Sequence, residues 1–184
     1  LRTHLEAAPE NHVTDPGELV VLAKELVERA EAEAPKWFGR LPREGCEVLA
    51  VEPHAEQESP PAFYMMPSAD GSRKGMYFIN TFDPTSRHLH RMAGIAFHEA
   101  VPGHHFQLAI EQELEGLPTF RRFGSRLAAG SFIEGWGLYT EQLAAEMGLY
   151  HTPLERFGSL ELDAWRAARL VVDTGVHALG WTRQ

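Results

Sequence analysis

The chain has 184 residues, enough for one domain with a hydrophobic core. Its formal net charge is -9, from 17 basic and 26 acidic side chains, and the basic residues are scattered, so we expect no nucleic-acid partner. The single cysteine, Cys46, cannot form an internal disulfide, and no apolar run approaches the roughly 20 residues of a transmembrane segment. We therefore expect a soluble single domain, for which cytoplasmic and exported locations both stay open.

The first predicted element is an amphipathic helix over residues 16–34, with apolar residues at helical spacing, Asp15 as N-cap and Pro16 at the first position. Pro35 predicts its end. Three short runs rich in β-branched and aromatic residues follow, "CEVLAVEP", "AFYMMPS" and "GMYFINTF", and "SADGSRKG" between the last two is typical of a turn. They predict a small three-stranded sheet, with antiparallel pairing expected.

From Ser86 onward the pattern is helical, with a loop around Pro118 and a bend expected near Gly158 in the last helix. The predicted fold is mostly α (α+β), with the small sheet beside the helices. The chain stops after "GWTRQ" without a capping structure, so we expect residues 1–184 to be one domain from a longer protein. We expect this domain to contact the rest of the full-length protein, and a homo-oligomer is an alternative that the sequence leaves open.

The stretch "AFHEAVPGHHFQ" carries half of a zinc motif. His98 and Glu99 match the start of His-Glu-x-x-His, in which two histidines one helical turn apart bind zinc and the Glu is a general base, but the fifth position is Pro102. On a regular helix, His104 lies about 240° round from His98 and His105 about 10 Å along, so neither shares a metal with His98.

The Pro-Gly pair between the histidines predicts an irregular helix. Pro102 clashes with the carbonyl four residues earlier, and Gly103 adopts dihedrals that other residues avoid. We therefore expect the helix to break or bulge here and to bring His104 or His105 back towards His98. The alternative is that these are ordinary core or surface histidines beside a chance kink.

A third ligand is expected from the helix "SFIEGWGLYTEQ". Glu134 stands there among large apolar residues, and a carboxylate buried in such a stretch has to be paired, metal-bound or protonated. Glu141, two turns further along the same face, is a candidate hydrogen-bond partner for a metal ligand. Gly135 and Gly137 weaken a helix, which indicates close backbone packing around them. An exposed Glu134 on a helix edge is the alternative.

Four ordered blocks resemble one family: "ADGSRKGMYFINT", "HEAVPGHHFQ", "EGWGLYTE" and "RAARLVVDTGVHALGW". Together they look like the DUF885 family, bacterial proteins that resemble gluzincin-type zinc metallopeptidases. The resemblance implies a zincin-like helical fold, Zn²⁺ as cofactor, and a longer full-length protein with this chain in its C-terminal catalytic part. It also implies that His98, one of His104 and His105, and Glu134 are the ligands; we favour His104, with His105 as a supporting or substrate-facing residue.

The expected reaction is hydrolysis of a peptide or related amide bond, with a metal-activated water and Glu99 as general base. Tyr64, Tyr139 and His177 are candidate donors to the developing oxyanion. His177 is favoured by chemistry because Asp173, one helical turn earlier, can fix its tautomer. A helix-end histidine satisfied by Asp173 alone is an equal alternative.

Three further residues are candidates for contacts with substrate. Arg169 lies one turn before Asp173, so it either pairs with that carboxylate or binds a carboxylate of the substrate. Arg73 and Asn80 flank the strand "GMYFI", where an extended peptide would lie.

Two other functions compete with zinc hydrolysis. Two histidines and a carboxylate also bind iron in oxygenases, although those ligands are typical of β-barrel strands rather than helices. A non-catalytic metal-binding helical module is the other alternative, and it would have no use for Glu99 as a base.

Overall fold

The computed structural model describes residues 2–68, 70–121 and 130–182. In chain order we label its α-helices α1 (Arg2–Glu6), α2 (Pro16–Glu33), α3 (Leu89–Glu99), α4 (His104–Glu113), α5 (Gly130–Glu146) and α6 (Pro153–His177). The strands are β1 (Cys46–Ala50), β2 (Ala62–Met65) and β3 (Gly75–Ile79). The prediction of a mostly helical fold with a small sheet is confirmed. No helix within the described ranges has the length and apolar character to cross a membrane.

The helix predicted over residues 16–34 is α2. The Asp15 side chain caps it by accepting a hydrogen bond from the backbone N–H of Gly17 at 2.9 Å. Helical geometry ends at Glu33 and tightens into a 3₁₀ turn, because Pro35 has no N–H to continue the ladder. One face of α2 is buried in the core, as its periodicity predicts: Leu19, Ala23, Leu26, Val27 and Ala30.

The three predicted strands form one sheet in the order β1–β3–β2, and this sheet is mixed. Strands β2 and β3 are antiparallel, and the turn predicted between them closes with a 3.0 Å hydrogen bond from the Ser68 N–H to the Arg73 carbonyl, although Ala69 lies outside the described residues. Strand β1 runs parallel to β3, so the expectation of antiparallel pairing is wrong for β1. A local turn sets only the pairing of the strands it joins, and the segment between β1 and β2 carries the chain past β3.

The predicted break around Pro102 is confirmed, since α3 ends at Glu99 and α4 begins at His104. Gly103 has to be glycine, because a Cβ there would overlap the carbonyl group of His98. The carbonyls of Pro102 and Gly103 accept hydrogen bonds from the Trp136 indole of α5, at 3.0 and 3.1 Å. The break therefore keeps its backbone groups paired. The predicted loop around Pro118 is present after α4, with Gly116 at a φ of 77°.

Helices α3 and α6 pack closely through small residues. The helix α6 runs through Gly158 without a break, whereas a bend was expected there, and a Cβ at this position would overlap the His90 carbonyl of α3. The ion pair between Arg91 and Glu161 joins the same helices with two hydrogen bonds of 2.8 Å. Gly158 is thus explained by close packing of two helices rather than by a bend.

Substitution of the glycines in two helices should have opposite effects. In Gly158→Ala the added Cβ meets backbone, so we expect a loss of about 1–3 kcal/mol in the free energy of unfolding. Gly135→Ala is the matched control, because no atom lies within 4 Å of a Cβ there, and a gain of about 0.5–1 kcal/mol is expected from helix propensity. Urea unfolding followed by circular dichroism measures both; equal effects would contradict the close packing of α3 on α6.

The Arg91–Glu161 ion pair should make stability depend on acid pH. The hydrogen bonds from Arg91, and then those from His90, lower the pKa of Glu161 from 4.5 to about 2. The stabilisation is fully present above the unfolded-state pKa of 4.5 and is lost as the pH falls towards about 2. We expect the urea midpoint to fall more steeply between pH 4.5 and 2 in the parent than in Glu161→Gln; identical slopes would contradict this assignment.

Candidate functional site

Glu141 of α5 is a buried carboxylate, with 3% of its surface exposed. Its Oε2 accepts a 2.7 Å hydrogen bond from Nη1 of Arg166 on α6, and Nη2 of the same guanidinium lies 2.7 Å from Oε1 in an ion pair. Its Oε1 also accepts a 2.8 Å bond from Nδ1 of His98, the penultimate residue of α3. The proton of a neutral His98 is thereby held on Nδ1, which leaves the lone pair on Nε2.

Burial opposes protonation of His98, but the hydrogen bond with Glu141 and the negative charges of Glu99 and Glu141 outweigh it and raise the pKa of the ring. His104 has the opposite balance. Burial, followed by the positive charge of His98, lowers the pKa of His104 to about 4, against the attraction of Glu134. Its ring is therefore neutral at pH 7 and retains a lone pair.

The Nε2 atoms of the two histidines face one carboxylate. Nε2 of His98 lies 3.4 Å from Oε2 of Glu134, and Nε2 of His104 lies 3.7 Å from Oε1 of the same group. The two rings stand edge to face with centroids 4.7 Å apart. His98, Glu99 and His104 also offer ligand atoms that all lie within 4.8 Å of one another. The helix break thus brings His104 to His98, although the residues are six apart in sequence.

Gly137 of α5 makes room for this pair of rings. A Cβ at Gly137 would lie 2.7 Å from Nε2 of His98 and 3.0 Å from Cε1 of His104. The expectation of close packing therefore holds for Gly137, whereas Gly135 has open space around it. The premise that Glu134 is buried was also wrong, because its side chain is 68% exposed. Its apolar neighbours Phe132 and Leu138 are exposed as well, so the sequence stretch does not form a core helix face there.

Glu99 is the last residue of α3 and lies against the edge of the sheet. The bond from the Asn80 N–H to the Pro61 carbonyl, 3.0 Å, sets the alternation of β2 with β3. In that register Tyr64 and Tyr77 form a non-hydrogen-bonded pair, so the Tyr64 N–H points away from β3. This N–H donates to the Glu99 carboxylate.

Burial raises the pKa of Glu99 to about 7, and the negative charge of Glu134 adds to this effect. His98 and the Tyr64 N–H pull the pKa down but do not cancel the increase. Such a carboxyl group exchanges its proton readily near neutral pH, which is the property required of a general base.

His105 is bonded to other groups. Its Nε2 donates to the backbone carbonyl of Glu44 at 3.0 Å, so its Nδ1 accepts from the Tyr64 hydroxyl at 2.9 Å. Burial lowers the pKa of the ring, which is 1% exposed. Glycine is needed at position 75, because a Cβ on Gly75 would overlap the Tyr64 hydroxyl and Nδ1 of His105. His105 therefore fastens α4 to the sheet, with Tyr64.

Tyr139 and His177, two candidate oxyanion donors, are both exposed. Tyr139 is 49% exposed against Trp136, and it lies about 140° round α5 from Glu134. His177 is 76% exposed, with Nε2 3.7 Å from Oδ1 of Asp173, about 16 Å along α6 from Arg166. Among the described residues neither side chain forms a hydrogen bond, ion pair or ring contact with His98, His104 or Glu134, and a role for Tyr139 stays a prediction.

The other predicted substrate contacts have structural partners. The Arg169 guanidinium lies 5.1 Å from the Trp165 ring centroid, and Asp173 faces His177. The Asn80 amide is 2% exposed and donates to the carbonyls of Glu56 and Ser59, at 2.7 and 2.9 Å. Asn80 thus supports the loop after β1. The Arg73 guanidinium donates a weak 3.4 Å bond to the Lys74 carbonyl.

Sequence reasoning missed two residues at the site. Arg166 has its partner Glu141 25 residues away, beyond the reach of helical spacing. Tyr77 is fully buried, and its hydroxyl has no hydrogen-bond partner among the described residues. Burial, and then the charge of Glu99, raise the pKa of Tyr77 well above its usual value.

The chain is similar to one protein family and to a solved structure. No curated protein matches the chain. The crystal structure of a "putative lipoprotein" from Colwellia psychrerythraea is similar, with 32% identity and a TM-score of 0.92 over 98% of this chain. The chain spans 31% of that protein's chain. The family described as "Bacterial protein of unknown function (DUF885)" matches residues 1–184. The resemblance seen in the sequence blocks is confirmed, and the chain belongs to the DUF885 family.

Proposed function

We propose that the chain forms a zinc site that hydrolyses peptide or related amide bonds. The observation that carries this proposal is the spacing of 3.4 and 3.7 Å between the two Nε2 atoms and the oxygens of Glu134. Both distances exceed the roughly 2.7–3.2 Å of an N–H···O hydrogen bond. Two ligands at normal zinc bond lengths in a tetrahedron stand about 3.3–3.5 Å apart, so the spacing suits a shared ion.

The orientation of the side chains supports the same ligand set. His98, His104 and Glu134 would hold the ion, and three protein ligands leave the fourth position for water. The 2.8 Å bond from Nδ1 of His98 to Glu141 turns Nε2 of His98 towards the place of the ion, as carboxylate partners of zinc-bound histidines do. When bound, zinc would act as a Lewis acid and lower the pKa of the water.

Glu99 would serve as the general base. Its carboxylate could also be regarded as a ligand, since it lies in the same 4.8 Å group as the histidines. We assign it to proton transfer because the Tyr64 N–H holds it at the sheet edge and its pKa is raised to about 7. In this assignment Glu99 takes a proton from the water and passes it to the leaving amine.

Zinc binding tests the ligand set. We expect the purified protein to bind one zinc ion, and His104→Ala or Glu134→Ala to weaken binding by more than about tenfold, measured by calorimetry and metal analysis. His177→Ala is the matched control, because His177 is 76% exposed on α6 and pairs with Asp173. Iron in place of zinc at the same stoichiometry would favour the iron enzyme, and unchanged binding in Glu134→Ala would remove Glu134 from the ligands.

Hydrolysis tests the role of Glu99. We expect Glu99→Gln to keep its zinc and to lose about 10²–10⁴-fold in the rate of cleavage of a mixed peptide library followed by mass spectrometry. The His177→Ala variant should cleave like the parent. If Glu99→Gln lost its zinc while the parent cleaved no peptide, the non-catalytic metal-binding module would be the better description.

A further inference from the structure

A cavity of about 980 Å³ lies between α3, α6 and strands β2 and β3. Its walls are mostly apolar, and the side chains that bear on its use are Tyr77, Ile95, Trp165 and Ala168. Its volume is at the upper end of the roughly 300–1,000 Å³ found for pockets that bury a whole small ligand. A single amino-acid side chain would therefore fill only a part of it.

One end of the cavity adjoins Glu99. Ile95 lines the cavity, and Glu99 lies one helical turn further on the same face of α3. Tyr77 also lines it and is paired across the sheet with Tyr64, whose N–H holds the Glu99 carboxylate. The cavity thus ends about one helical turn of α3 from the proposed base.

Two of the three Arg and Glu side chains that line the cavity compensate each other. Arg91 and Glu161 bond to each other through two 2.8 Å hydrogen bonds, and the Asn80 amide is bonded to backbone carbonyls. A charged ligand would have to compete with these partners. The Tyr77 hydroxyl has no partner among the described residues and lies at the Glu99 end, while the unpaired Nε of Arg87 lies at the far end.

The length of the cavity indicates how much ligand it holds. The lining residues on α6 run from Phe157 to Ala168, which is about 16 Å along the helix axis. Extended peptide rises about 3.3 Å per residue, so this length spans at most about five residues. We propose that the cavity binds a short, uncharged, apolar segment of the substrate on one side of the cleaved bond. The proposal rests on the hydrolase function proposed above.

The test measures binding without cleavage, in the Glu99→Gln variant loaded with zinc. Calorimetry compares acetyl-Leu-Phe-amide with acetyl-Ser-Asn-amide, and we expect the apolar peptide to bind at least tenfold more tightly. Ala168→Phe, added to this variant, places a ring in the cavity and should weaken binding of the apolar peptide at least tenfold. Ala167→Phe is the matched control. Ala167 precedes Ala168 on α6 and is exposed like it, but it does not line the cavity.

Equal binding of the two peptides, equal effects of Ala168→Phe and Ala167→Phe, or binding of laurate in place of the peptide would overturn the proposal. Normal peptide binding with no cleavage by the parent protein would refute the hydrolase function and leave the cavity's preference intact.

Discussion

Glu141 lies buried at the junction of three helices, and its negative charge has to be compensated there. A carboxylate with 3% exposure is costly unless it is paired. Arg166 from α6 and His98 from α3 supply that pairing with contacts of 2.7 and 2.8 Å. The orientation of the His98 ring therefore depends on the packing of α5 and α6 against α3, and so does everything that the Nε2 atom of His98 can bind.

The break between α3 and α4 supplies the second half of the site. A regular helix would turn His104 away from His98, whereas the break at Pro102 and Gly103 sets the two rings 4.7 Å apart. Trp136 of α5 bonds to the carbonyls of the break, and Gly137 on the same helix leaves room for the rings. One helix thus stabilises the irregular backbone and receives the histidines that this backbone positions.

The sheet contributes its outer strand to the site and one side to the cavity. Because β2 is the outer strand, the outward N–H of Tyr64 is available to Glu99. The same strand and its neighbour β3 form one side of the apolar cavity. Base and cavity therefore share a support, and the hydroxyl of Tyr64 ties that support to α4 through His105.

The sequence by itself determined the helical class, the cap at Asp15, the break at Pro102 and the family, because each is carried by local patterns or ordered motifs. Periodicity also placed Glu134 and Glu141 on one face of α5. Only the tertiary structure decided that β1 runs parallel to β3, that Arg166 compensates Glu141, and that Glu134 is exposed. These outcomes depend on which faces of distant segments meet, and that is set by packing between elements rather than by the spacing of residues within one.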